Sequence, residues 1–203
     1  MKISVILAHP HPGSFNHAIA DDATATLRKS GHTVTVHDLY REKFDPLLPY
    51  DEIPRDADLP PSIALHCREI ATADGIVFVH PDWWGMPPAI LKGWIDRILR
   101  PGIAYLFAET DSGEGIPEGL LIAGAVLVFN TSNTPVEREQ KIFGDPLERI
   151  WKDCIVSFCG VQAFRRRMFG VVVTSTEKQR KEWLAEVREL TRETFPPVSS
   201  KIE

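Results

Sequence analysis

Residues 74–100, DGIVFVHPDWWGMPPAILKGWIDRILR, constrain the fold more than any other stretch of the chain. Gly75-Ile76-Val77-Phe78-Val79 is apolar at every position rather than at alternate ones. A strand of that kind is covered on both faces, as in a parallel sheet with helices on either side. Proline cannot donate to a ladder, so the strand is expected to stop at His80-Pro81. The turn Asp82-Trp83-Trp84-Gly85-Met86 leads to Pro87-Pro88, which suit the first turn of a helix. Ile90, Leu91, Trp94, Ile95, Ile98 and Leu99 then recur as one apolar stripe, with Lys92, Asp96 and Arg100 on the other side and Asp96 placed for i±4 pairing.

The rest of the chain repeats this alternation. Residues 2–8 form a first apolar strand that ends in a His9-Pro10-His11-Pro12-Gly13 loop. Ser14 caps a helix with Phe15, Ile19, Ala23 and Leu27 on its inner face, ended by Gly31, and strand 32–38 follows. Residues 41–61, rich in Pro, Asp and Arg, read as an irregular surface excursion, and a helix over 61–73 returns to the tryptophan strand. The stretch 101–119, with glycines at 102, 113, 115 and 119, is a long loop of the kind that often carries function. A strand over 122–129 runs into Asn130-Thr131-Ser132-Asn133-Thr134. Asp145-Pro146 opens a helix that turns Leu147, Ile150, Trp151, Cys154 and Ile155 inward. A fifth strand is expected near 168–174, then a capping box, Thr176-x-x-Gln179, opens a last helix with Trp183, Leu184, Val187 and Leu190. The tail 195–203 reads as frayed. With no repeat and no linker, residues 1–203 are expected to form a single domain: an α/β, doubly wound, five-stranded parallel sheet with helices on both faces.

Composition narrows the function. The net charge is −5, with one short basic run, Arg165-Arg166-Arg167, so the chain has no footprint for nucleic acid. A solvated strand edge explains that run; a phosphate-binding patch is the sharper alternative. Cys67, Cys154 and Cys159 lack CxxC spacing and read as structural thiols, Cys154 and Cys159 on an apolar helical face. No apolar run reaches the roughly 18 residues that span a bilayer. A cytoplasmic protein is the expectation.

In an open α/β sheet, ligands bind at the carboxyl ends of the strands. That rim is formed here by residues 9–16, 80–86 and 130–134. The first loop has neither a dinucleotide fingerprint nor a Walker loop. It does bring a helix N-terminus, with Ser14, Phe15 and Asn16 offering amides for an anion and His9 a ring donor, although Ser14 also has an ordinary use as a cap. Trp83 and Trp84 serve either as flat walls for a planar ligand, with the turn amides between them as donors, or as plugs for a core end or dimer interface. Asn130, Thr131, Ser132 and Asn133 add uncharged polar groups. His9-x-His11, with His17 nearby, lacks the further ligands of a closed zinc site, so no metal is assigned. Anion site, aromatic walls and neutral polar edge together describe a flavin nucleotide site.

Ala8-His9…Ser14-Phe15-Asn16, Trp83-Trp84-Gly85-x-Pro-x-Ala89-Ile90-Leu91-Lys92-Gly93-Trp94 and Ala104-Tyr105 resemble the NAD(P)H:quinone oxidoreductase family over nearly the whole chain. The resemblance implies a flavodoxin-like fold and a homodimer with one flavin, FMN or FAD, per subunit. It also implies ping-pong chemistry, in which NAD(P)H reduces the flavin and a quinone is then reduced in the same pocket. By position, His9, Ser14, Phe15 and Asn16 would hold the flavin's phosphate and ribityl region, and Pro81, Asp82, Trp83, Trp84 and Gly85 its ring. Asn130, Thr131, Ser132 and Asn133 would hold the ring's other edge, while Tyr105 and Phe107 would reach into the partner's substrate pocket. Trp83, Tyr105 and Phe107 are thus the candidate catalytic residues. Two positions depart from the family: Glu137 and Phe143 stand where a Tyr and a His stabilise the reduced flavin. A flavin-bearing regulatory subunit in peripheral contact with a cation-efflux transporter, or a one-electron flavodoxin-type carrier, are the alternatives that the same residues leave open.

Overall fold

The computed structural model describes residues 1–107 and 115–198. Five strands form one sheet in the order β2-β1-β3-β6-β7: β1 (Lys2–Leu7), β2 (Thr33–Asp38), β3 (Gly75–Pro81), β6 (Ala125–Thr131) and β7 (Ala163–Phe169). Every neighbouring pair is parallel. This is the flavodoxin-like arrangement that the sequence implies.

Side chains alternate across the sheet and supply two cores. Ile76 and Phe78 of β3, with Val126 and Val128 of β6, face helices α2 (Pro61–Ala71) and α3 (Ala89–Ile98) and the helical segment 146–156. Val77, Val79, Leu127 and Phe129 face α1 (Phe15–Lys29) and α6 (Glu177–Thr194). Local signals set the helix ends. Ser14 Oγ accepts from the His17 amide at the start of α1, and Gly31, at φ +84°, follows its end. Thr176 accepts from the Gln179 amide at the start of α6. Lys92 and Asp96 pair on the outer face of α3 at 2.6 Å.

Several sequence expectations are corrected. The tryptophan strand continues through His80 and Pro81, which pair with Asn130 and Thr131. The Asp82 amide donates to the Thr131 carbonyl, so Pro81, one residue earlier, turns its donor-less nitrogen away from β6, toward the side where β1 has already ended. Strand β6 lies at 125–131 rather than 122–129, so Asn130 and Thr131 belong to a strand, not a loop. The last strand, β7, lies at 163–169 rather than 168–174. Its arginines are compatible with an edge strand because each finds acids: Arg165 pairs with Glu193, Arg167 with Glu186, and Arg166, on the opposite face, with Asp145 and Glu148.

Within the stretch 101–119, β4 (Tyr105–Leu106) and β5 (Glu118–Gly119) form a short antiparallel pair; residues 108–114, Gly113 included, lie outside the described residues. Arg100 is not on the exposed face of α3: the helix ends at Ile98, and Arg100 turns inward to the Pro54 carbonyl. Cys154 is exposed, not inward. After α5 (Pro146–Arg149) the helix widens into a π-helical stretch, Ile150–Val156, whose wider turn places Val156, five residues after Trp151, in the core instead. The start of the tail is packed rather than frayed, since Phe195 is buried against Gly75 and the Val198 amide donates to the Ser30 carbonyl; 199–203 lie outside the described residues. The excursion 41–61 is irregular as expected apart from a short 3₁₀ turn, Tyr50–Glu52. It is riveted to α3 through buried Arg97, which meets Glu52 at 2.9 Å and the Asp45 carbonyl at 2.6 Å. A further short helix, α4 (Val136–Lys141), follows the 130–134 segment. Among the described residues no helix is long and apolar enough to cross a membrane.

Candidate active site

The carboxyl ends of β1, β3 and β6 open into one cleft of about 780 Å³. Its first wall is the start of α1. The Ser14 hydroxyl satisfies the His17 amide, and the Ala18 amide bonds the Ser14 carbonyl, leaving the Phe15 and Asn16 amides free at the positive end of the helix. The Asn16 carboxamide donates to Thr131 Oγ1 at 2.9 Å, and its buried Oδ1 has no partner. His9 Nδ1 accepts from the His11 amide, which leaves the ring proton on Nε2. Burial lowers the pKa of His9 from its ordinary value, so this donor is a neutral imidazole at pH 7.

The second wall is the tryptophan turn. Trp83 and Met86 exchange backbone hydrogen bonds across Trp84 and Gly85, whose φ angles are +60° and +70°. Two consecutive left-handed residues make a tight, primed-type turn. Gly85 suits it, and a Cβ there would lie 2.6 Å from Pro146 Cγ. Trp84 does not suit it: a bulky residue at positive φ is strained, and its indole is fully exposed. The turn's amides are mostly spent internally. Asp82 N bonds Thr131 O, Trp83 N bonds Met86 O and Gly85 N bonds Asp82 Oδ1, so the Trp84 amide is the one left for a ligand.

The third wall is the 131–134 segment. Ser132 N bonds the Phe169 carbonyl, and Asn133 Oδ1 accepts from Val173 N, leaving the Asn133 NH₂ group unspent. His9, Ser14, Phe15, Asn16, Pro81, Asp82, Trp83, Trp84, Gly85, Thr131, Ser132 and Asn133 all line the cleft. Asn130 does not. Its side chain is fully buried beneath, with Oδ1 taken by Arg166 at 2.9 Å. Tyr105 and Phe107 do not line it either: they pack edge-on with Phe158 in a separate cluster. Of the two positions that depart from the family pattern, Phe143 lines the cleft and Glu137 is exposed.

Glu139, Val172 and Val173 also line the cleft and carry no sequence signal that points there. Glu139 is buried and hydrogen-bonded to Asp82. Burial raises the pKa of both carboxyls, and in Glu139 the neighbouring Asp82 and Asp145 raise it further. Below this pair, the sequence's basic run contributes one buried cation, Arg166, bonded to Asn130, Asp145 and Glu148. His80, wholly buried, donates from Nδ1 to the Pro81 carbonyl and accepts from Trp151 Nε1, so it is neutral, its pKa lowered to about 4 by burial.

A second polar cluster gathers His37, Glu42 and His66. Trp94 Nε1 donates to His66 Nδ1, so the proton of neutral His66 sits on Nε2 and blocks the lone pair facing Glu42. Burial alone would lower the pKa of His37, but hydrogen bonds and charge from Glu42 and Glu69 outweigh it and raise the value. With the His66 lone pair toward Glu42 blocked, the cluster reads as a proton-and-charge network between two buried histidines and the exposed Glu42.

The flavodoxin-like family Flavodoxin_2 matches residues 1–191. An uncharacterized NAD(P)H oxidoreductase of Haemophilus influenzae is 32% identical over 188 residues, covering 89% of each chain. A ribosyldihydronicotinamide dehydrogenase [quinone] of Mus musculus is 31% identical over 208 residues, covering 91% of this chain and 87% of its own. The solved structure of an NAD(P)H:quinone oxidoreductase from Methanothermobacter marburgensis superposes with a TM-score of 0.80 at 25% identity, covering 95% of this chain and 96% of its own. Sheet order, cleft position and sequence therefore agree, and the chain belongs to the NAD(P)H:quinone oxidoreductase family of flavodoxin-like proteins.

Proposed function

We propose that the protein is a flavin-dependent NAD(P)H oxidoreductase that reduces quinones or related acceptors by two electrons in a ping-pong sequence. One observation carries the reading: a strained turn holds the Trp84 indole fully exposed on a cleft that faces an anion-binding helix end and neutral polar groups. Strain and apolar exposure both cost stability, and both become useful when a planar ligand covers the wall.

The donor set fits a flavin nucleotide, FMN or FAD. The Phe15 and Asn16 amides and His9 Nε2–H suit a phosphate, with Ser14 holding the helix start in place through the His17 amide and ring. Pro81, Asp82, Trp83, Trp84 and Gly85 suit the ring, with the Trp84 amide and the Asn16 Oδ1 atom as the unspent polar groups on that side. Thr131, Ser132 and the Asn133 NH₂ suit the other edge. Asn130 acts one step removed, holding Arg166 under the site. When bound, a flavin supplies hydride chemistry that no protein side chain can perform. The residues of the chain orient it, exclude water and hold protons. The related dehydrogenases support NAD(P)H as donor and a quinone as acceptor.

Tyr105 and Phe107, partly exposed beside Phe158 and outside this chain's own cleft, suit a homodimer in which they wall the partner's pocket. Three free cysteines and a net charge of −5 suit a cytoplasmic setting.

The test is an anaerobic titration of the flavin-loaded protein. NAD(P)H should bleach the flavin absorption near 450 nm (a property of flavins), and a benzoquinone added after the nicotinamide is removed should restore it. A protein that takes up neither FMN nor FAD would overturn the reading.

A further inference from the structure

Reduction of a quinone to a hydroquinone takes two electrons and two protons. A hydride equivalent brings both electrons and one proton, so the second oxygen needs an acid. Three titratable side chains of the described residues line the cleft: His9, Asp82 and Glu139. His9 is a neutral donor at the α1 end, its Nδ1 held by the His11 amide. Asp82 Oδ1 accepts from the Gly85 amide, which fixes it as an acceptor inside the turn. Glu139 differs from both. Its side chain is buried at the cleft wall and hydrogen-bonded to Asp82, and its Oε1 atom is buried with no N–H or hydroxyl donor to it. A buried carboxyl oxygen with no donor is costly for an anion and tolerable for a neutral acid.

We propose that Glu139 is the acid of the cleft, holding a proton against Asp82 and handing it to an acceptor oxygen during reduction, with Asp82 as its positioning partner. The proposal rests on the reading of the cleft as a redox site. In the step, the O–H bond of Glu139 breaks and an O–H bond forms on the acceptor oxygen. Glu139 is left as a carboxylate and regains its proton from water. The groups around the pair set its proton affinity. Asp82 on the β3 turn and Asp145 before α5 oppose a second negative charge on Glu139, and Arg166 on β7 limits the effect. Arg166 is itself largely committed to Asp145, Glu148 and Asn130, so it does not convert Glu139 into a simple ion pair. Two carboxyls that share a site bind one proton between them, and their titration belongs to the pair.

The experiment begins with flavin-free protein carrying ¹³C-labelled carboxyl groups. An NMR titration should find one glutamate midpoint raised above the ordinary value of about 4.3. That signal should vanish in Glu139→Gln, whose amide still donates to Asp82 and preserves the fold, and it should move down toward the ordinary value in Asp82→Asn. In the flavin-loaded enzyme, Glu139→Gln should slow reoxidation by quinone more than it slows NAD(P)H-dependent bleaching. Reoxidation by benzoquinone should slow by about 10²-fold, the usual scale for a general acid, and lose its fall with rising pH. An ordinary midpoint for Glu139, or wild-type reoxidation with its pH profile intact in Glu139→Gln, would overturn the proposal while leaving the oxidoreductase reading in place. Failure to bind any flavin would overturn both.

Discussion

Gly93 lies in the middle of α3, where alanine would ordinarily be the better residue by about 1 kcal/mol. The structure reverses that expectation. A Cβ on Gly93 would sit 2.1 Å from the Pro46 carbonyl oxygen and 2.4 Å from Pro46 Cβ. The obstacle is backbone, and it is not free to move. The segment that carries Pro46 is pinned to α3 by Arg97, which bonds the Asp45 carbonyl and the buried Glu52 carboxylate. Relieving the contact to beyond 3 Å requires a shift of about 1 Å in a segment held on both sides. Overpacking costs about 1–3 kcal/mol, and a pinned backbone belongs in the upper half of that range. After the helix-propensity gain, Gly93→Ala should lose a net ~1–2 kcal/mol, equivalent to ~2–8 °C in Tm for a chain of this size. Urea denaturation followed by circular dichroism, with an unchanged slope, measures it. Pro46→Gly in the same background tests the cause: it removes the side-chain contact but leaves the carbonyl, so it should not restore stability. A Gly93→Ala protein as stable as the wild type or more so would show that the excursion does not rest on α3, and the reasoning would fail.

Four further outcomes follow from the same contacts. His66 and His80 are held neutral by burial at pKa values of about 4, against 6.5 in an unfolded chain. Their contribution is complete above pH 6.5 and lost as pH falls toward 4, at ~3 kcal/mol each; a urea midpoint that stays flat between pH 7 and 4.5 would contradict it. Arg166→Met leaves Asp145 and the Asn130 amide group without their cation, and breaking a buried pair of this kind should cost about 3–5 kcal/mol by the same denaturation assay. Trp83→Ala removes a cleft wall, so flavin retention after gel filtration and turnover should both fall; undiminished flavin content and kcat would take Trp83 out of the site. Cys154 alone should react quickly with a thiol reagent in the native protein, because Cys67 and Cys159 are buried and burial pushes the Cys159 thiol up to about 11.

The elements that could be read in advance are those whose signal is local. Unbroken apolar runs announce the two-faced strands β1, β3 and β6, and Ser14 and Thr176 mark helix starts because a hydroxyl satisfies an amide three residues on. The Trp83-Trp84-Gly85 turn is visible because its composition is improbable for an ordinary connection. What could not be read depends on partners distant in sequence. Arg165–Arg167 looks like solvated charge until Glu193, Glu186 and Asp145 arrive from other elements to pair with it. Phe195 looks like a fraying end until Gly75, with no side chain of its own, leaves room for its ring. Cys154 looks inward because a 3.6-residue period puts it there, and a wider π turn moves it out.

The same division explains the cleft. Thirteen of its lining residues come from three strand ends and the segments that follow them, which the parallel topology must bring together, so any reading that recovers the topology recovers them. Asn130 falls on that rim by sequence position, but β6 runs two residues further and turns its side chain to Arg166. Glu139 has the opposite history. It sits on a short helix with exposed Glu137 two residues before it, and nothing local separates the two carboxylates. Only the approach of Asp82, from a strand end more than fifty positions away, makes one of them a buried acid and leaves the other an ordinary surface charge. Side-chain chemistry in this protein is set by what the fold places opposite a residue, and a carboxyl acquires an unusual proton affinity only where two elements converge.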